Sequence, residues 1–176
     1  MPRRISSSWP GRKSERKSGG VGTFAVQIAK SYGPEVTGVT STQNIDLVRS
    51  LGADHVVDYT TTNFARSGRR YDLILDTVGN RSVPDLRSAL SEGGKASVTG
   101  FTSMGKLIGV SLRGGMDVAM VSAHVTTKDL ELLSELIEAG KLRPQIDRRY
   151  QFAEIPAAIA YLEQGRARGK VIVGVA

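Results

Sequence analysis

From Gly19 to the end of the chain, apolar positions follow two alternating rhythms. Over Gly20–Tyr32, Val21, Phe24, Ala25, Ile28 and Ala29 recur at helical spacing, and Gly33 supplies the stop. Glu35–Thr40 (EVTGVT) is short and β-branched, which predicts a strand. Ser41 or Thr42 can cap a helix over Asn44–Leu51, which Gly52 ends. His55–Tyr59 and the apolar run Tyr71–Asp76 read as strands, with a helix around Pro84–Leu90 after them. Gly93–Gly94 turn the chain into a strand over Lys95–Thr99. Phe101–Gly115 is rich in glycine and fits neither rhythm, whereas Asp117–Ala123 reads as a strand.

Towards the C-terminus, Thr127 caps a helix over Lys128–Ala139 whose Leu130, Leu133, Leu136 and Ile137 point inward. Gln145–Tyr150 forms a short edge strand, Ile155–Gln164 a helix, and Lys170–Val175 the final strand. Strands alternating with helices of this size predict an α/β fold, a Rossmann-like doubly wound parallel sheet with right-handed crossovers.

The first 18 residues break the pattern. They hold six basic side chains (Arg3, Arg4, Arg12, Lys13, Arg16, Lys17) and one acid (Glu15), a net of +5 out of +7 for the whole chain of 176 residues. Basicity therefore belongs to a local arm. Its Ser/Arg-rich composition is that of a disordered, solvated tail over residues 1–17. A transit peptide and a nucleic-acid arm are the other readings. Trp9 is the arm's single aromatic and no recognition helix follows, so a nucleic-acid partner is not expected. No apolar run reaches the roughly 18 residues of a membrane helix, so no membrane partner is expected either. Cysteine is absent, which excludes thiolate chemistry and cysteine-ligated metals and fits a reducing cytoplasm.

Ser18-Gly19-Gly20-Val21-Gly22 opens the first helix. Glycines in such a turn let the backbone approach a pyrophosphate, and the free N–H groups of the helix attract it. In the G-x-G-x-x-G pattern Gly19 and Gly22 match the second and third positions, but Lys17 stands at the first. Residues Ser14–Ser18 are polar where a buried strand should precede the turn. Glu35–Thr40 ends without the acid that would bind the ribose of NAD. The small hydroxyl residues Thr40-Ser41-Thr42 leave room for a 2′-phosphate, so the chemistry favours NADPH. A helix cap is the alternative role for Ser41 and Thr42. His55 and His124 lack metal-ligand spacing, and neither G-x-S-x-G nor a P-loop occurs. No metal site and no catalytic residue is assigned.

The strings SGGVGTFAVQIAKSYG, LGADHVVDY, YDLILDTVG and LIEAGKLRPQIDRRYQFAEIPAAIAYLEQGRARGKVIVGV stand in this order over residues 18–176. Together they resemble the cofactor domain of the medium-chain dehydrogenase/reductase superfamily, in its zinc-independent quinone oxidoreductase-like branch. The resemblance implies an NADPH-dependent oxidoreductase that passes hydride to a quinone, enone or other carbonyl small molecule. It implies a cofactor site of Ser18, Gly19, Gly20, Val21 and Gly22 at the pyrophosphate, with Ser41 and Tyr59 at the 2′-phosphate and ribose. Val78 and Gly79 would lie near the nicotinamide, and Ala167 and Arg168 would close over the cofactor. It also implies a homodimer through the edge strand Asp117–Ala123.

Against this pattern, the chain departs in three ways. It lacks the GroES-like catalytic barrel, and its first Rossmann strand is expected to be missing. Gln43 and Arg166 replace a basic residue and a histidine common in the family. The abrupt change at Ser18 suggests a shifted reading frame upstream. A non-catalytic nucleotide-binding or dimerisation module is the alternative function.

Overall fold

The computed structural model describes residues 3–8, 20–99, 104–113, 115–121, 124–165 and 167–175. Six parallel strands make the main sheet: β1 (Arg4–Ser8), β2 (Glu35–Thr40), β3 (His55–Asp58), β4 (Tyr71–Asp76), β5 (Leu90–Val98) and β6 (Val118–Met120). Their order is β3-β2-β1-β4-β5-β6. The chain winds outward from β1 to β3, returns, and winds the other way from β4 to β6. That is a doubly wound Rossmann-like sheet.

The first strand, expected to be missing, is present. Arg4–Ser8 lies at the centre, with Ser6 beside Thr37 on one side and Ile74 on the other. The expectation of a disordered arm over 1–17 is therefore corrected for its first part; residues 9–17 lie outside the described residues. The reason is that backbone pairing on both sides holds β1 whatever its side chains are. Further anchors are the Arg4 N–H, which donates to Asp72 Oδ2 at 2.7 Å, and its guanidinium Nε, 3.0 Å from Glu35 Oε2.

Helices cover both faces. Gly38 and Val39 are neighbours on β2 and so point to opposite sides. Gly38 faces Val48 of α2 (Ile45–Ser50) so closely that a Cβ would overlap the valine methyl. Val39 enters the main core with Phe64, Tyr71, Ile74, Leu86 of α3 (Val83–Ala89) and Val110 of α4 (Met104–Arg113). The ambiguous Gly-rich segment is thus partly helical.

Several local expectations shift. In α1 (Gly20–Ser31) the buried side is Thr23, Val26 and Gln27, while Val21 is 57% exposed. Burial of the two polar residues is tolerated because both are bonded: Thr23 Oγ1 donates to Gly20 O and Gln27 Nε2 to Thr23 O. Gly93 and Gly94 do not precede β5 but lie within it, at an irregularity in its register with β4. Thr126, not Thr127, caps α5 (Thr127–Glu138), in a reciprocal capping box with Asp129. Of the four inward residues expected there, only Leu136 is buried, and Leu130 and Ile137 are about half exposed. The helix packs on a single side here, which covers a narrower stripe than the sequence offers.

Neither C-terminal strand joins the main sheet. β7 (Ile146–Gln151) and β8 (Lys170–Gly174) pair in parallel as a second sheet, connected by α6 (Ile155–Glu163). Gln27 of α1 ties this unit on: its Nε2 donates to Arg143 O at 3.0 Å, and the Arg143 N–H donates back at 2.9 Å.

Candidate cofactor site

In a doubly wound sheet a ligand crevice opens outside the carboxyl ends of the strands, where the winding reverses. Here that place is between β1 and β4, and the residues singled out from the sequence follow these ends. Gly20 begins α1, Ser41 follows β2, Tyr59 follows β3, and Val78 and Gly79 follow β4. Ser18 and Gly19 lie outside the described residues. Gly20 and Gly22 are buried; Val21 is exposed.

Beside β2 and β3, the loops are tied together. The Tyr59 N–H donates to Thr40 O at 3.0 Å. Thr42 Oγ1 donates to Asp58 Oδ2 at 2.5 Å, and Thr60 donates to Asp58 Oδ1 through its N–H (2.8 Å) and its hydroxyl (2.7 Å). The Thr42 hydrogen bond, followed by those of Thr60, holds the Asp58 carboxyl below the usual carboxylate range. Ser41 occupies the cap position of the 3-10 turn Thr42–Asn44, yet its side chain makes no capping bond. The cap role weighed for Ser41 and Thr42 is thus not taken: Thr42 binds Asp58 instead. The sequence signal for this tie was an aspartate ending a strand and followed by hydroxyl residues, and the pattern reading passed over it.

Two hydroxyls at this edge, Thr40 Oγ1 and Tyr59 OH, are buried with no hydrogen-bond partner among the described residues. Leaving such donors unmade costs free energy, so polar atoms of this kind suit a bound polar ligand. At the end of β4, Asp76 Oδ1 accepts from the N–H groups of Val78 (2.9 Å) and Gly79 (3.0 Å). This bends the chain sharply, with Gly79 at φ +64° and Val78 buried. Glycine is favoured there because that φ is strained for other residues.

Ala167 and Arg168 belong to the turn before β8 in the second sheet. Ala167 is buried, Arg168 is exposed, and the Arg168 N–H donates to Asp147 Oδ2 at 3.0 Å. The Tyr161 hydroxyl donates to the same oxygen at 2.6 Å. This turn meets the main sheet at α1, where the Lys170 side chain lies against Gly20.

The model of the family described as "Zinc-binding dehydrogenase" matches residues 51–173. The chain is 36% identical over 182 residues to a mouse protein named NAD(P)H oxidoreductase RTN4IP1, mitochondrial, covering 90% of this chain and 46% of that protein. It is 35% identical over 164 residues to NADPH-dependent alkenal/one oxidoreductase, chloroplastic, of Arabidopsis thaliana, covering 89% of this chain and 38% of that one. Among solved structures, the quinone oxidoreductase from Coxiella burnetii superposes with a TM-score of 0.79 at 25% identity, over 99% of this chain and 53% of the other. The chain thus spans about half the length of these relatives.

A zinc ion, which the family description names, finds no ligand set here. The sequence has no cysteine, and among the described residues no three His, Asp or Glu side chains gather. His55 is engaged instead with Glu35, Nε2 to Oε1 at 2.5 Å.

Proposed function

Because the chain belongs to the zinc-binding dehydrogenase family, we propose that it carries the NADPH-binding half of an oxidoreductase acting on quinones, enones or related carbonyl compounds. One observation carries the reading. Gly20, Ser41, Tyr59, Val78 and Gly79 come from four separate connections yet share the carboxyl edge of one parallel sheet at its switch point. The relatives' names support the activity: NAD(P)H oxidoreductase and alkenal/one oxidoreductase.

NADPH, when bound, supplies a hydride to an electron-poor carbon. The chain's own residues bind and orient. The amino end of α1 draws the phosphates by its free N–H groups. Ser41 and the unpartnered Tyr59 hydroxyl donate to the 2′-phosphate side. The bend at Val78–Gly79, fixed by Asp76, leaves backbone rather than side chain against the nicotinamide ribose. Ala167 and Arg168 close the site from the second sheet. Titration of the purified chain with NADPH and NADH, followed by nicotinamide fluorescence, tests this. Saturable binding, tighter for NADPH, is the expected result; no saturable binding of either overturns the reading.

A dimerisation role rests on a separate observation. β6 is the last strand of the sheet, and near its open edge Met116 (95% exposed), Met120 and Val121 stand in solvent. Strand edges with apolar side chains invite pairing, and a second copy can supply it. Ser122 and Ala123, the end of the expected edge strand, lie outside the described residues. Sedimentation equilibrium showing a monomer at every concentration would dismiss the dimer. A cytoplasmic location completes the proposal, on the cysteine-free sequence; recovery of the tagged chain with mitochondria or plastids would refute it.

A further inference from the structure

The second sheet brings one more cation to this edge. Lys170 is the first residue of β8, and its Nζ lies so near the start of α1 that a Cβ added at Gly20 would stand 3.1 Å from it. The first turn of α1 contains no acid. Among the described residues Lys170 forms no ion pair, and its described side-chain neighbour is the Phe24 ring, 5.6 Å from Nζ to the centroid. An ammonium group is thus set beside the positive end of a twelve-residue helix. Two positive fields side by side repel unless an anion lies between them, and a dinucleotide pyrophosphate is such an anion.

The backbone that carries Lys170 is firmly held. Its N–H donates to Gln145 O at 2.6 Å. Gly169 packs directly on the Gln145 carbonyl, with no space for a Cβ. One residue earlier, Arg168 is bonded to Asp147, and the lead-in to β7 is bonded through Arg143 to Gln27 of α1. The lysine therefore reaches α1 from a strand fastened to that same helix.

We propose that Lys170 binds the pyrophosphate of the dinucleotide, clamping it against the amino end of α1 and making the second sheet part of the cofactor site. This rests on the cofactor reading above and adds to it a residue from outside the main sheet. The pyrophosphate is common to NADPH and NADH, so the lysine acts on both alike.

The full chain, its Lys170→Ala and its Lys170→Arg variants are titrated with NADPH and NADH at low and moderate salt. Loss of a charged hydrogen bond at an exposed site weakens binding about tenfold, so Lys170→Ala loses about that factor for both cofactors. Its affinity also depends less on salt, since one cation fewer meets the phosphates. Lys170→Arg, which keeps the charge, stays close to the unaltered chain. If the unaltered chain binds and Lys170→Ala binds equally well, the lysine is excluded while the cofactor reading stands. A loss confined to NADPH places Lys170 at the 2′-phosphate and overturns the pyrophosphate assignment. Equal losses in both variants, with lowered melting temperatures, mark a structural role and overturn it too. If the unaltered chain binds neither cofactor, the cofactor reading fails and this inference falls with it.

Discussion

Asp117 shows what a single contact does to one residue. Arg87 meets it through two hydrogen bonds, Nε to Oδ2 at 2.5 Å and Nη2 to Oδ1 at 2.8 Å. This pairing, chiefly the hydrogen bond, lowers the Asp117 carboxyl from 3.8 to about 2. A carboxyl more acidic in the folded chain than in the unfolded one stabilises the fold above its unfolded value. That contribution is lost as pH falls from 3.8 towards about 2. Urea midpoints measured across this window should fall with pH, and less steeply in Asp117→Asn. Identical slopes in the two proteins would refute the assignment. Asp58 shifts in the same direction through Thr42 and Thr60, so it adds to the slope that remains in the variant.

At the scale of elements, β1 is the least regular piece. An inner strand of a parallel sheet is expected to be apolar, and this one reads Arg-Ile-Ser-Ser-Ser. Ser6 and Ser7 are buried, and the Ser6 hydroxyl has no partner among the described residues. An unpaired buried hydroxyl costs about 1 kcal/mol or more. Ser6→Ala removes it with almost no change in volume and should raise unfolding stability by about 1 kcal/mol in urea titrations. A lower midpoint would mean that the hydroxyl is satisfied. This strand was hidden in the sequence because its side chains carry none of the signal; its neighbours and its backbone pairing define it. By contrast β2, β3 and β4 were legible, since β-branched and apolar runs bounded by Gly52, Gly33 and polar turns leave few other choices.

Taken whole, the molecule is a doubly wound sheet with a smaller sheet attached through α1. Gln27 is 8% exposed and makes both bonds that join α1 to Arg143. Gln27→Ala leaves a backbone N–H and C=O unpaired, which costs about 1–3 kcal/mol. The loss should appear locally. Amide exchange over residues 146–174 should quicken more than exchange in β2 or β4. Uniform acceleration across the chain would show that the two sheets open together and that Gln27 is not the joint.

Periodicity alone determined the alternation of helices and strands, and the order of the glycine turn, LGADHVVDY, YDLILDTVG and GRARGK segments carried the family resemblance. Those features are local: each depends on residues within a few positions of one another. Tertiary structure decided the rest. It placed Arg4–Ser8 at the centre of the sheet, split β7 and β8 into a sheet of their own, and turned Thr23, Val26 and Gln27 of α1 inward. It also set Lys170 against Gly20, 150 positions earlier in the chain. These outcomes depend on pairing and packing between distant segments, and no short window of sequence contains both partners.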